Sequence, residues 1–246
     1  MKKTNWLIFA AFAAAAAVLR AWQNHTGFED NGLAVHGSLP GLLLPVVLTL
    51  AAAYFVAAAW KLPAKRDESA ELADHFALEG TLPLAGIVAG AFLVAVGAVM
   101  ALMSGESSLP VLLLAVFGVT SAFSVLYVAF ALRRGGDVQG VALLVPVCAL
   151  VVYLIFLYRA DASDPVLARI YVEILTVALL TFSAIERAAF AFRNGSPRLC
   201  RCAGVMAALL ALTAAADGKS LAALLFFAGC ALVELGFLAA SKFETQ

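Results

Sequence analysis

Four stretches without a single charged residue govern what this chain can become: 38–60, 81–103, 109–132 and 138–158. Each exceeds the ~20 apolar residues that a helix needs to cross the hydrocarbon core of a bilayer. The rest of the chain supplies too little polar surface to solubilise them. Only 13% of the residues are charged and 64% are apolar, against about 25% and about half in soluble domains. The expected fold is all-α: a polytopic transmembrane helical bundle, one integral-membrane domain over 1–246.

Four weaker segments bring the expected number of spans to about eight. Segment 165–192 is long but charged, and 220–241 carries Glu234 alone. Segments 6–22 and 199–216 are short and Ala-rich, and the first holds Arg20. The first also has a second reading. Lys2 and Lys3 before an apolar run resemble a signal peptide, whose removal would leave seven spans. Arg20 and Trp22 instead read as an interfacial stop, because basic and aromatic residues anchor helix ends. Ser38-Leu39-Pro40, Thr81-Leu82-Pro83 and Ser108-Leu109-Pro110 repeat one start signal, a hydroxyl cap followed by Pro in the first turn. Asp164-Pro165 and Ser196-Pro197 repeat it in outline.

Alternating the eight spans places twelve of the 16 Lys and Arg on one side. They are Lys2, Lys3, Lys61, Lys65, Arg66, Arg133, Arg134, Arg187, Arg193, Arg198, Arg201 and Lys242. Positive charge stays in the cytoplasm, so both termini are expected there. The Lys-Lys start and compact loops point to a bacterial cytoplasmic membrane. The loop 61–80 reads as a small amphipathic helix along the interface, with Leu72, Ala73, Phe76 and Ala77 on its apolar edge. The loop 23–37 holds His25, Glu29, Asp30 and His36, whose spacing fits no metal motif; it reads as a solvated loop. Cys148, Cys200, Cys202 and Cys230 form no C-x-x-C pair and read as small, reduced, apolar residues.

The sixth span is the informative one. On a helix of 3.6 residues per turn, Arg169, Glu173, Thr176, Ser183 and Arg187 share one face, while Glu186 points elsewhere. Ionisable groups within a membrane are costly and often functional, so this stripe is expected to face the bundle interior. Arg187 lies at a depth similar to that of Glu234 on the eighth span and is its natural counter-ion. Thr120, Ser124 and Tyr127 form a milder polar face on the fourth span. Arg20 is expected to meet Glu173 or to stay at the interface.

Two readings of the stripe follow. In one it lines a pocket or pathway: Glu173 and Glu234 titrate or bind cations, and Arg169 and Arg187 hold anionic parts. In the other it is paired charge and hydroxyl bonding that joins helices. Only Glu173 and Glu234 lie more than about a turn and a half inside a span. Gly86, Gly90 and Gly97 add close-packing positions on the third span. Pro45 and Pro146 lie within spans, where each removes a backbone bond.

Enzyme signatures are missing. There is no H-E-x-x-H, G-x-S-x-G, P-loop or dinucleotide fingerprint, and all three His fall in predicted loops. No cofactor is expected. A net charge of +0 gives no field for nucleic acid. The leading expectation is a transport or permease-like component handling a small polar solute, with Arg169, Glu173, Thr176, Ser183, Arg187 and Glu234 as its site. A membrane scaffold or accessory subunit, docking a partner protein or a second copy, comes next. A lipid-modifying enzyme comes third.

Overall fold

The computed structural model describes residues 3–29, 33–35, 37–63, 72–78, 80–104, 109–135, 138, 140–161, 167–218 and 220–243. Nine helices run through them: α1 Lys3–Thr26, α2 Leu39–Ala59, α3 Leu72–His75, α4 Thr81–Met103, α5 Leu109–Arg133, α6 Gly140–Asp161, α7 Leu167–Ala191, α8 Pro197–Ala215 and α9 Leu221–Ala240. Eight are long and apolar enough to cross a membrane, and α3 is a single turn.

Helix starts obey the hydroxyl rule in part. Ser196 accepts from the Leu199 amide at 3.5 Å at the head of α8, and Ser220 accepts from the Ala223 amide at 3.1 Å at the head of α9. Ser38 precedes α2 without a side-chain cap bond, and Gly80 takes the cap position that Thr81 was expected to fill. Ser108 and Asp164 lie outside the described residues. Pro40 and Pro197 occupy the first turns of α2 and α8, where a missing N–H costs nothing.

Helices α4 to α9 pack each on the next, and α9 returns to α4, closing a six-membered ring. The α4–α9 contact is the most extensive in the molecule. Glycines explain it. A Cβ on Gly90 would stand 2.6 Å from the Gly229 carbonyl, and one on Gly229 would stand 2.7 Å from the Gly90 carbonyl. A Cβ on Gly97 would meet the Phe226 amide at 2.7 Å. Backbones this close leave no room for a side chain, and van der Waals contact between them drives association within lipid. Gly86 faces the same helix at ordinary contact distance, 3.7 Å from the Leu232 carbonyl and 3.8 Å from Gly236 Cα.

The pair α1–α2 packs outside the ring, against α8. Helix α8 is therefore covered on both sides, and 67% of its central window is buried, against 17% for α6. Its weak hydropathy follows from this position. A helix surrounded by protein needs small residues for close approach rather than a lipid-like coat, and Ala203, Ala207, Ala208 and Ala211 are fully or nearly fully buried.

The start of α1 and the end of α9 lie on one side of the bundle. Arg20, near the end of α1, meets Asp217 just beyond α8, and Arg198, at the start of α8, donates to the carbonyls of Trp60 and Leu62 beyond α2. On that terminal side the 61–80 loop departs from the expected interfacial helix. Residues 72–78 turn once and then pair with the end of α9: the Ala77 amide donates to the Ala240 carbonyl and the Lys242 amide to the His75 carbonyl, each at 2.9 Å. Leu72, Phe76 and Leu78 are buried. Phe76 meets Phe190, Phe237 and Phe243 ring against ring. Burying three apolar side chains under the bundle outweighs laying one face on lipid. Of its expected wet edge of Asp67, Glu68, Glu71 and Asp74, Asp74 is exposed, and the other three lie outside the described residues.

Candidate functional site

The polar stripe of α7 is spent in three places. At its terminal-side end, Arg187 donates to both carboxylate oxygens of Glu234 on α9, Nη2 to Oε1 at 2.6 Å and Nη1 to Oε2 at 3.0 Å. Ser183, one turn earlier, donates to the same Oε2 at 2.8 Å. The guanidinium also lies over the Phe237 ring, 4.4 Å from its centroid. All three polar side chains are buried. The fork of Arg matches a carboxylate edge to edge, which makes this the strongest class of ion pair. The expected pairing of Arg187 with Glu234 holds.

In mid-span, Thr176 bonds the Val172 carbonyl at 2.6 Å and the Leu210 carbonyl of α8 at 3.2 Å. Glu173 accepts from the Tyr153 hydroxyl of α6 at 2.9 Å. Arg169 stands in the first turn of α7, and its side chain is outside the described residues. The structure thus unites Ser183, Arg187 and Glu234 and separates them from Glu173 and Thr176.

Beside the ion pair lies a cavity of about 80 Å³ inside the ring. Its walls come from α4, α5, α6, α7 and α9 and are almost wholly apolar, with Val94, Ala122, Val128, Leu150, Ala184 and Phe226 among them. The lining runs from Phe226 to Phe237 along α9, about 16 Å at 1.5 Å per residue. Arg187 and Glu234 form the polar part of the wall, with Ser121 and Ser124 of α5 and Tyr153 of α6. The Ser124 hydroxyl is held by the Ala142 carbonyl. The Ser121 hydroxyl is buried without a hydrogen-bond partner.

The expected polar face of α5 is thus rearranged. Thr120 and Tyr127 are exposed on the outside of the ring, and Thr120 bonds its own helix, to the Val116 carbonyl at 2.9 Å. Ser121 takes the inner position. Its signal was its spacing of three from Ser124, one helical face.

For Arg20 the structure supplies a partner that the sequence reading did not name. Arg20 is 1% exposed and pairs with Asp217. Its Nη1 donates to Gln23 at 2.8 Å, and it lies 5.7 Å from the centroid of the Tyr171 ring. Asn24 donates to the Asp217 carbonyl at 3.0 Å. These bonds fasten α1 to the turn between α8 and α9.

No cluster of three or more His, Cys, Asp or Glu suited to a metal forms among the described residues. The four cysteines are unpaired, with Cys200 and Cys230 buried. The class defined by these features is a multi-pass integral membrane protein, all-α, with a ring of six spans, five of which line an apolar cavity. Comparison with protein-family models, with curated proteins and with solved structures finds no match.

Proposed function

We propose that the protein is a transport or permease-like membrane component that binds a small solute in the ring cavity. The solute has an apolar body and a polar head, and the head lies at Arg187, Glu234 and Ser183. One observation carries this reading: a buried ion pair forms one wall of an otherwise apolar void. Protein interiors are packed like organic crystals, and a charge pair that only pins two helices needs no space beside it. The unpartnered Ser121 hydroxyl points the same way, because buried hydroxyls are normally bonded.

Glu173 and Thr176 serve the fold in this reading, since their bonds run to α6 and α8. Those same bonds favour the second reading, a scaffold or accessory subunit whose polar residues are helix glue.

Filling the cavity separates the two. Ala184 is buried in its wall. The probes are butan-1-ol, butylammonium and butyrate, one chain length with three head groups. At least one should raise the melting temperature of the purified protein, as any ligand of the folded state does. Ala184→Phe should abolish that shift while costing about 1–3 kcal/mol by overpacking. No shift with any of the three probes would leave the scaffold reading.

A further inference from the structure

The ion pair on the cavity wall is chemically lopsided, and the lopsidedness selects a ligand. Of the two partners, only Glu234 can lose its charge by taking up a proton; an arginine stays cationic in any protein. A ligand head that reaches the pair must displace one partner from the other. The surroundings are of low dielectric, where a net charge is expensive.

An incoming cation would face Arg187 across one carboxylate, two positive charges for one negative. No group in the wall could discharge the surplus. Around the pair, α7 presents Ser183 and Arg187, α9 presents Cys230 and Phe237, and α8 presents Gly204, with Cys200 close enough to interact with both charges. From α5 come Ser121 and Ser124, and from α6 Tyr153, whose hydroxyl is engaged by Glu173. An incoming carboxylate meets a different situation. It takes the Arg187 fork, Glu234 takes one proton from water, and the site ends as it began, one cation and one anion.

We infer that the ring cavity binds a short-chain monocarboxylate on Arg187 and takes up one proton onto Glu234 with each molecule bound. The inference rests on the solute-binding reading above. The step is balanced: a carboxylate anion and a proton enter, the Arg187–Glu234 pair opens, a new Arg187–carboxylate pair forms, and Glu234 becomes a neutral acid. No covalent bond of the ligand is made or broken. Size is set by the cavity of about 80 Å³, about half the ~150 Å³ void that holds a six-carbon benzene, so the void takes only the tail, and the carboxylate head occupies the space opened as Arg187 and Glu234 part. The length of the tract and its apolar walls suit an aliphatic tail of a few carbons.

The test is calorimetric titration of the purified full chain with butyrate, in two buffers of different ionisation enthalpy, between pH 6 and 8. Free butyrate is anionic throughout, so each proton counted enters with binding, and the Glu234→Gln variant tells whether Glu234 or the ligand carries it. The expected results are one proton per butyrate and a tenfold loss of affinity for each unit rise in pH. Glu234→Gln, neutral at every pH, should bind butyrate with no proton uptake and no pH dependence.

If that variant fails to fold, the double variant Arg187→Met with Glu234→Met removes both charges at once. It should lose butyrate and keep butan-1-ol. Butyrate binding without proton uptake overturns the inference. So does preferential binding of butylammonium, or undiminished butyrate binding by the double variant; in those cases the cavity still holds a solute. Absence of binding by all three probes overturns the cavity reading itself, and the inference with it.

Discussion

Two buried arginine–carboxylate pairs stand out among the described residues, and their surroundings differ. Arg20–Asp217 sits where α1 meets the α8–α9 turn, and Gln23 and Asn24 bond to the same two residues. Its polar atoms are matched by fixed protein groups. Arg187–Glu234 joins α7 to α9, has one further donor in Ser183, and has an apolar void on its other side. Removing two charges from water costs several kcal/mol per ion, and each pair recovers that by good geometry. The first pair is surrounded by neighbours that a ligand could not replace. The second has one face that a ligand could take. Two contacts that look alike in a list of ion pairs therefore do different work.

Breaking each pair singly and then jointly sharpens the contrast. The largest loss should come from Glu234→Leu, which leaves Arg187 charged, buried and opposed by nothing. About 3–5 kcal/mol is the usual cost of such an orphan, read as a fall in melting temperature in detergent. Asp217→Leu should cost less, about 2–3 kcal/mol, because Gln23 still accepts from Arg20. An equal or greater loss there would show that the α1 clasp is the more exposed weakness of the fold.

Joint neutralisation should separate the pairs further. Arg187→Met with Glu234→Met should recover to within about 1–2 kcal/mol of the parent, as apolar replacements of buried pairs often do. Arg20→Met with Asp217→Leu should recover less, since Gln23 loses the Arg20 donor and Asn24 keeps only the backbone carbonyl at 217. The smallest effects belong to the stripe between them. Ser183→Ala should cost about 1 kcal/mol, one hydrogen bond. Glu173→Gln, which keeps an acceptor for Tyr153, should cost under about 1 kcal/mol and leave butyrate binding unchanged. A binding loss from Glu173→Gln would move the site towards the middle of α7.

Hydropathy is a local property, so the eight spans were legible, most within three residues of their observed ends, though α1 runs from Lys3 to Thr26 rather than 6–22. The inward face of α7 was legible too, because a period of 3.6 puts 183 and 187 on one side. So was the depth match that joins Arg187 to Glu234. Neighbour order was not. Nothing in the sequence says that α9 closes on α4, although the glycines at 90, 97 and 229 supplied its seam. Arg20 was misplaced because an arginine near the end of an apolar run looks like an anchor at the surface. Its partner is 197 positions away, and no local pattern reports that. The turn at 72–78 failed for the same reason: its amphipathic spacing is real, but the partner of Phe76 is the far end of the chain. Ala-rich α8 reads as the weakest span and lies at the centre.

The span of sequence between Arg20 and Asp217 also sets an order of events during synthesis. The two residues are 197 positions apart, which takes about 10–40 s to translate at ~5–20 residues per second. Through that interval α1 and α2 exist while Asp217, the residue that neutralises Arg20, does not. The α1–α2 hairpin is therefore made early and locked late, once the α8–α9 turn is complete and can receive it.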